Sequence, residues 1–201
     1  MRQFQRKERK MSGRVVRLLS VATLVLFLTN TVVSAKGVQS VGFLTGFMSG
    51  NLKQKDDYEV IPFMVSFGFD LKPLAEKIGI KTKGVLEFEV EPFLSPVIGP
   101  DSNLETGVNL LFKYGFPLNS RLMPYVKFGA GPSFMTQHTR EQSTQFNFVD
   151  SVGGGLSWLV KDNMSLDLEY RFRHLSNCSI DEPNSGINAQ MFLAGVTYRF
   201  D

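Results

Sequence analysis

Residues 85–94 read VLEFEVEPFL, and their alternation decides what fold the chain can build. Side chains along an extended strand point alternately to opposite faces. Leu86, Phe88, Val90, Pro92 and Leu94 therefore share one face, and Glu87, Glu89 and Glu91 share the other. Three stacked carboxylates need water or cations beside them, while the opposite face is apolar along its whole length.

The same split recurs downstream. Within 108–116, Val108, Leu110, Phe112, Tyr114 and Phe116 oppose Asn109 and Lys113; within 123–135, Val126, Phe128, Ala130 and Phe134 oppose Lys127, Gly129, Gly131 and Ser133. Within 164–176, Met164, Leu166, Leu168, Tyr170 and Phe172 oppose Ser165, Asp167, Glu169, Arg171 and Arg173. An exported soluble β-sandwich would bury the apolar faces and wet the charged ones, whereas a membrane barrel turns the apolar faces to lipid and the charged ones inward. The apolar faces are wide and aromatic, and the charged faces carry both signs, with Arg199 added near the end, so they can pair across a narrow lumen. Eight strands are predicted, near 39–50, 57–71, 82–95, 104–116, 122–135, 144–160, 164–176 and 187–200. PLNSR and KDN make short turns, and the alternate connections are generally longer and more polar. The exception is KPLAEKIGIK at 72–81, a longer inner connection with room for a helical turn. The predicted fold class is all-β, an eight-stranded antiparallel transmembrane β-barrel of the outer membrane. So few strands enclose little open pore, which argues against a general porin.

Residues 1–35 read as a signal peptide that is cleaved, leaving 36–201 as a single barrel domain. They hold seven Lys/Arg and one acid, an apolar run from Leu18 to about Leu28, and the small-x-small end Val33-Ser34-Ala35. Without them the chain has 15 basic and 18 acidic residues, a net charge of −3. The basic character of the full chain thus belongs to the leader, and no nucleic-acid partner is expected. The single cysteine, Cys178, excludes an intrachain disulfide. The last strand, INAQMFLAGVTYRFD, ends in aromatics, as substrates of the barrel-assembly machinery do, although Asp201 follows the terminal Phe200.

With both termini periplasmic, the strand at 164–176 rises to the cell surface and runs into RFRHLSNCSIDEPNSGIN at 171–188. Parity separates its residues: Arg171 and Arg173 point inward, while His174 and Ser176 share the lipid-facing side with Tyr170 and Phe172. On the next strand Asn188 has the same parity as Phe192 and Tyr198. Three polar side chains therefore meet at the outer rim, where the lipid of a Gram-negative outer membrane is lipopolysaccharide. Same-face neighbours lie about 6.5–7 Å apart, near enough for an imidazole to serve a serine hydroxyl. A histidine two residues before a serine is also a common polar strand end.

Other candidates carry less. The Glu87, Glu89, Glu91 ladder suits luminal pairing better than a metal site. His138, in TQHTREQ, has no cluster of ligands near it in sequence, and Cys178 has no base of its own. GGG at 153–155 falls inside a strand, where it relieves crowding rather than cradling phosphate. Trp158 and several tyrosines suit membrane interfaces.

The motif RHLSN…PNSGIN, on the last two strands of an eight-stranded exported barrel, resembles the lipid A 3-O-deacylase (PagL) family of outer-membrane esterases. The resemblance implies a hydrolase that removes the 3-O-linked acyl chain of lipid A and needs no metal or organic cofactor. It implies His174 as general base, Ser176 as nucleophile, and Asn177, Asn184 and Gly186 as the turn associated with the oxyanion hole. The family's third triad member is a glutamate at the position of Asn188, so here an amide orients the ring, and Asp181 or Glu182 from the adjoining loop could supply the missing charge. Lipopolysaccharide, outer-membrane lipid and a second copy of the barrel are the partners this reading admits. The alternative is a structural or adhesive barrel that kept the fold without catalysis.

Overall fold

The computed structural model describes residues 37–52, 57–136, 139 and 141–200. The predicted signal peptide and His138 lie outside the described residues. The strands are β1 (Val38–Asn51), β2 (Asp57–Val60), β3 (Phe63–Asp70), β4 (Val85–Gly99), β5 (Asn103–Gly115), β6 (Leu122–Met135), β7 (Phe146–Lys161), β8 (Met164–Ser176) and β9 (Ile187–Arg199). Neighbours pair antiparallel in chain order, and β1 pairs β9 from Ser40↔Arg199 to Gly50↔Ala189, closing the ring. β2 and β3 are the halves of one predicted strand, interrupted at Ile61-Pro62. Proline has no N–H to give the ladder, and Ile61 N instead reaches Pro96 O at 3.0 Å. The inner connection after β3 makes the short helix α1 (Lys72–Lys77). One outer connection is shorter than its predicted counterpart. β4 and β5 keep pairing through Pro96↔Leu104 and Val97↔Asn103, leaving three residues between them.

Facing follows parity. Leu110, Phe112, Phe128, Val152, Leu168 and Phe192 are exposed on the outer wall, with aromatics at both ends: Phe47, Phe63, Phe134 and Phe146 toward one rim, Phe116, Trp158 and Tyr198 toward the other. Such girdles mark the two interfaces of a membrane barrel. Inside, Glu87, Glu89, Glu91, Glu105, Lys113, Lys127, Asp167, Glu169, Arg171 and Arg173 are buried. Lys127 bridges Glu89 (2.7 Å) and Glu169 (3.1 Å), Lys113 bridges Glu87 (3.5 Å) and Glu89 (3.1 Å), and Arg199 holds Glu87 at 2.9 Å. Arg171 grips Glu91 with two nitrogens, at 2.6 and 3.2 Å, and Arg173 meets Glu105 at 2.6 Å. Every member of the Glu87, Glu89, Glu91 ladder thus has a cation.

The interior is layered rather than charged throughout. Toward the outer mouth, Met48, Tyr58, Val60, Met135, Val149, Leu175, Ile187 and Met191 form a buried apolar cluster above the ion pairs. Tyr58 crosses between the layers by donating its hydroxyl to Glu105. In β7 a Cβ on Gly153 would stand 2.5 Å from Tyr170 O, and one on Gly155 2.5 Å from the Tyr125 hydroxyl, so the glycines make room where neighbouring strands and side chains close in.

Candidate active site

β8 carries a charge ladder inward and an aromatic row outward, and the outward row turns polar in its last turn of pleat. His174 and Ser176 are half-buried on that face. The β8–β9 register sets His174 directly opposite Asn188, and His174 Nδ1 lies 2.7 Å from Asn188 Oδ1. An amide oxygen only accepts, so this contact places the ring proton on Nδ1 and leaves the Nε2 lone pair free. Two positions below, Tyr170 donates its hydroxyl to Gln190 Oε1 at 3.1 Å, extending the polar seam between the strands.

Ser176 is the last residue of β8 and pairs with Phe148 of β7. Among the described residues its hydroxyl has no hydrogen bond to the ring. Catalytic contacts often tighten only when substrate is bound, and alternate residues on one face are within reach of a rotamer change.

The loop between β8 and β9 is held from both sides. Asn177, fully buried, donates Nδ2 to Asp181 O (2.8 Å) and to Ser143 Oγ (3.0 Å), and its backbone N–H donates to Asn184 Oδ1 at 3.0 Å. Asn184 spends its oxygen there, so what it can offer an oxyanion is its Nδ2. The loop between β6 and β7 docks onto this turn: Ser143 N reaches Pro183 O and Ser185 N reaches Glu141 O, both at 2.9 Å, and Gln142 bridges Asn184. Sequence reasoning missed this support, which depends on two loops meeting in space. The structure does not bring Asp181 or Glu182 to the ring. Asp181 Oδ1 accepts from Glu182 N, and Glu182 Oε2 from Asn184 N, each at 3.0 Å.

Gly186 has φ +72°, and a Cβ there would stand 2.5 Å from His174 Cε1. The turn thus forms a wall against the imidazole that only glycine fits, by conformation and by space. Gly186→Ala is expected to displace the ring and lower any His174-dependent rate about 10²-fold. The barrel's thermal stability should change little; heat-shifted gel mobility and a rate assay measure the two effects.

The molecule is thus an outer-membrane β-barrel with a histidine–amide pair and a serine on the lipid-facing rim. The model of the lipid A 3-O-deacylase (PagL) family matches residues 45–197, and the chain belongs to that family. By sequence comparison no curated protein matches. The crystal structure of the outer-membrane enzyme PagL is similar, with TM-score 0.58 at 18% identity over 78% of this chain and 97% of that one. Neisserial surface protein A aligns with TM-score 0.61 at 16% identity over 80% and 96%, and Ail of Yersinia pestis with 0.51 at 13% over 83% and 100%. These structures share the fold. The family and the barrel neighbours place the chain in the outer membrane of a Gram-negative bacterium.

Proposed function

We propose that the protein hydrolyses the 3-O-linked acyl ester of lipid A, with Ser176 as nucleophile, His174 as general base and Asn188 as the residue that orients the ring. The observation that carries this is the 2.7 Å contact between His174 Nδ1 and Asn188 Oδ1 on the face that also carries Ser176. It presents a basic Nε2 at the height of the outer leaflet, where acyl chains of lipopolysaccharide lie. Ser176 Oγ attacks the ester carbonyl as its proton passes to Nε2, and the tetrahedral oxyanion is met by N–H donors of the turn at 184–188. Collapse expels the sugar hydroxyl, which takes the proton from the imidazolium, and the acyl chain remains on Ser176. Water, deprotonated by Nε2, then releases the fatty acid and restores the serine. The second strand of support is family membership, whose motif residues this chain keeps at His174, Ser176, Asn177, Asn184 and Gly186.

Asn188 can fix the tautomer but brings no charge to the imidazolium. Exchanging amide for carboxylate in a serine triad changes turnover by about 10⁴. Asn188→Glu is therefore expected to raise release of 3-hydroxy fatty acid from lipopolysaccharide at least about tenfold, with that factor as the ceiling. Mass spectrometry of released acids measures it. A rate that falls in Asn188→Glu would count against Asn188 standing in the triad position.

A further inference from the structure

The outward row of β7 reads Phe146, Phe148, Asp150, Val152, Gly154, Leu156, Trp158, with one charge among seven residues. A carboxylate on the lipid-facing side of a barrel costs free energy that depends on depth. Among the described residues, Asp150 has no hydrogen bond or ion pair that would explain it. The register does: Asp150 is directly opposite His174 on one side, as Asn188 is on the other. Directly opposed side chains on one face have Cβ atoms about 4.5–5.5 Å apart. The imidazole therefore stands between a carboxylate from β7 and an amide from β9.

Resting on the esterase reading above, we propose that Asp150 is the anionic partner of His174, supplying from β7 the negative charge that Asn188 lacks. A triad carboxylate does two jobs: it holds the histidine tautomer, and it stabilises the imidazolium that forms as the serine gives up its proton. Here the jobs are divided. Asn188 Oδ1 takes the Nδ1–H, and Asp150 acts through space as a positioning residue that touches no substrate atom. The other groups around the ring do not compete for this role. β9 offers Asn188 and Gln190, which do not titrate, and the outward neighbours on β8 are Phe172 and Ser176. Arg173 points into the lumen and is engaged by Glu105. In the loop, Asp181 and Glu182 bind loop amides, and Cys178 is exposed.

The test is the rate of 3-hydroxy fatty-acid release by the detergent-folded barrel for wild type, Asp150→Asn, Asp150→Glu, and Asp150→Asn combined with Asn188→Glu. In Asp150→Asn kcat should fall roughly ten- to a hundredfold with KM unchanged, less than the about 10⁴ expected for a hydrogen-bonded carboxylate. Asp150→Glu should restore most of the rate, and Asn188→Glu should recover it in the double variant, because either carboxylate supplies the charge. Asp150→Asn conserves size on an outer surface, and heat-shifted mobility verifies its folding. A kcat unchanged by Asp150→Asn in an active barrel, or a fall that neither Asp150→Glu nor the added Asn188→Glu recovers, overturns the proposal and leaves the esterase reading standing. A folded wild-type barrel that releases no fatty acid overturns the esterase reading and the proposal with it.

Discussion

Ser176→Ala is expected to leave the barrel intact and to reduce fatty-acid release from lipopolysaccharide to background. Ser176 sits at the end of β8, half-buried on the outer wall, and contributes nothing to the ion pairs or the apolar cluster inside. Its loss should be visible in rate alone. Removing the nucleophile of a complete serine triad costs about 10⁶ in turnover, and an amide in place of the triad carboxylate has already surrendered up to about 10⁴. The drop expected here is therefore between about 10² and 10⁶, and its size measures how well the surroundings of His174 compensate for Asn188. His174→Gln should fall to the same floor, and combining the two should lower it no further, because the pair acts as a unit.

Arg171→Ala should do the reverse, with a large loss of stability and no direct effect on chemistry. Arg171 is fully buried, holds Glu91 with two nitrogens and reaches Glu169 at 2.5 Å. Without it Glu169 keeps Lys127, and among the described residues Glu91 is left with the Asn109 amide at 2.9 Å. Breaking a buried pair from one side costs about 3–5 kcal/mol, because the charge left behind stays desolvated. The loss should appear as a lower urea midpoint for the folded band on unheated gels. Arg171→Lys should fall between, since an ammonium cannot reproduce the two-pronged grip. Converting Glu91 to Gln in the Arg171→Ala background should recover part of the loss by removing the stranded charge. Residual activity per folded molecule should match wild type, since Arg171 and His174 lie on opposite faces of β8.

These two residues also show how far the sequence could be read. Facing was legible throughout β8: the parity that sends Arg171 inward sends His174 and Ser176 to the rim, and both outcomes stand in the structure. Partners were not legible, because they depend on register between strands. That Arg171 meets Glu91, 80 residues away, follows from closure of the barrel and from no local pattern. Asp150 went unnoticed for the same reason: in FVDSVGG it is one acid in a strand, and it gains meaning only when β7 is aligned with β8. The apolar layer was hidden differently. Val149, Leu175 and Ile187 sit at inward positions and so break the apolar-out alternation, looking like exceptions until they are seen gathered toward the outer mouth. Asp181 and Glu182, chosen for their closeness in sequence to the serine, are turned to the loop's own amides.

The central claim is that Ser176 carries the acyl group, and acid-quenched peptide mass spectrometry tests it most directly. After the refolded barrel is mixed with lipopolysaccharide and stopped within a turnover, a peptide spanning His174 to Asp181 should carry the mass of one 3-hydroxyacyl chain on Ser176. The adduct should accumulate in a His174→Gln, Ser176 background only at background level and be absent from Ser176→Ala. Release of fatty acid by the wild-type barrel with Ser176 unmodified at every quench time, and undiminished in Ser176→Ala, would contradict the account.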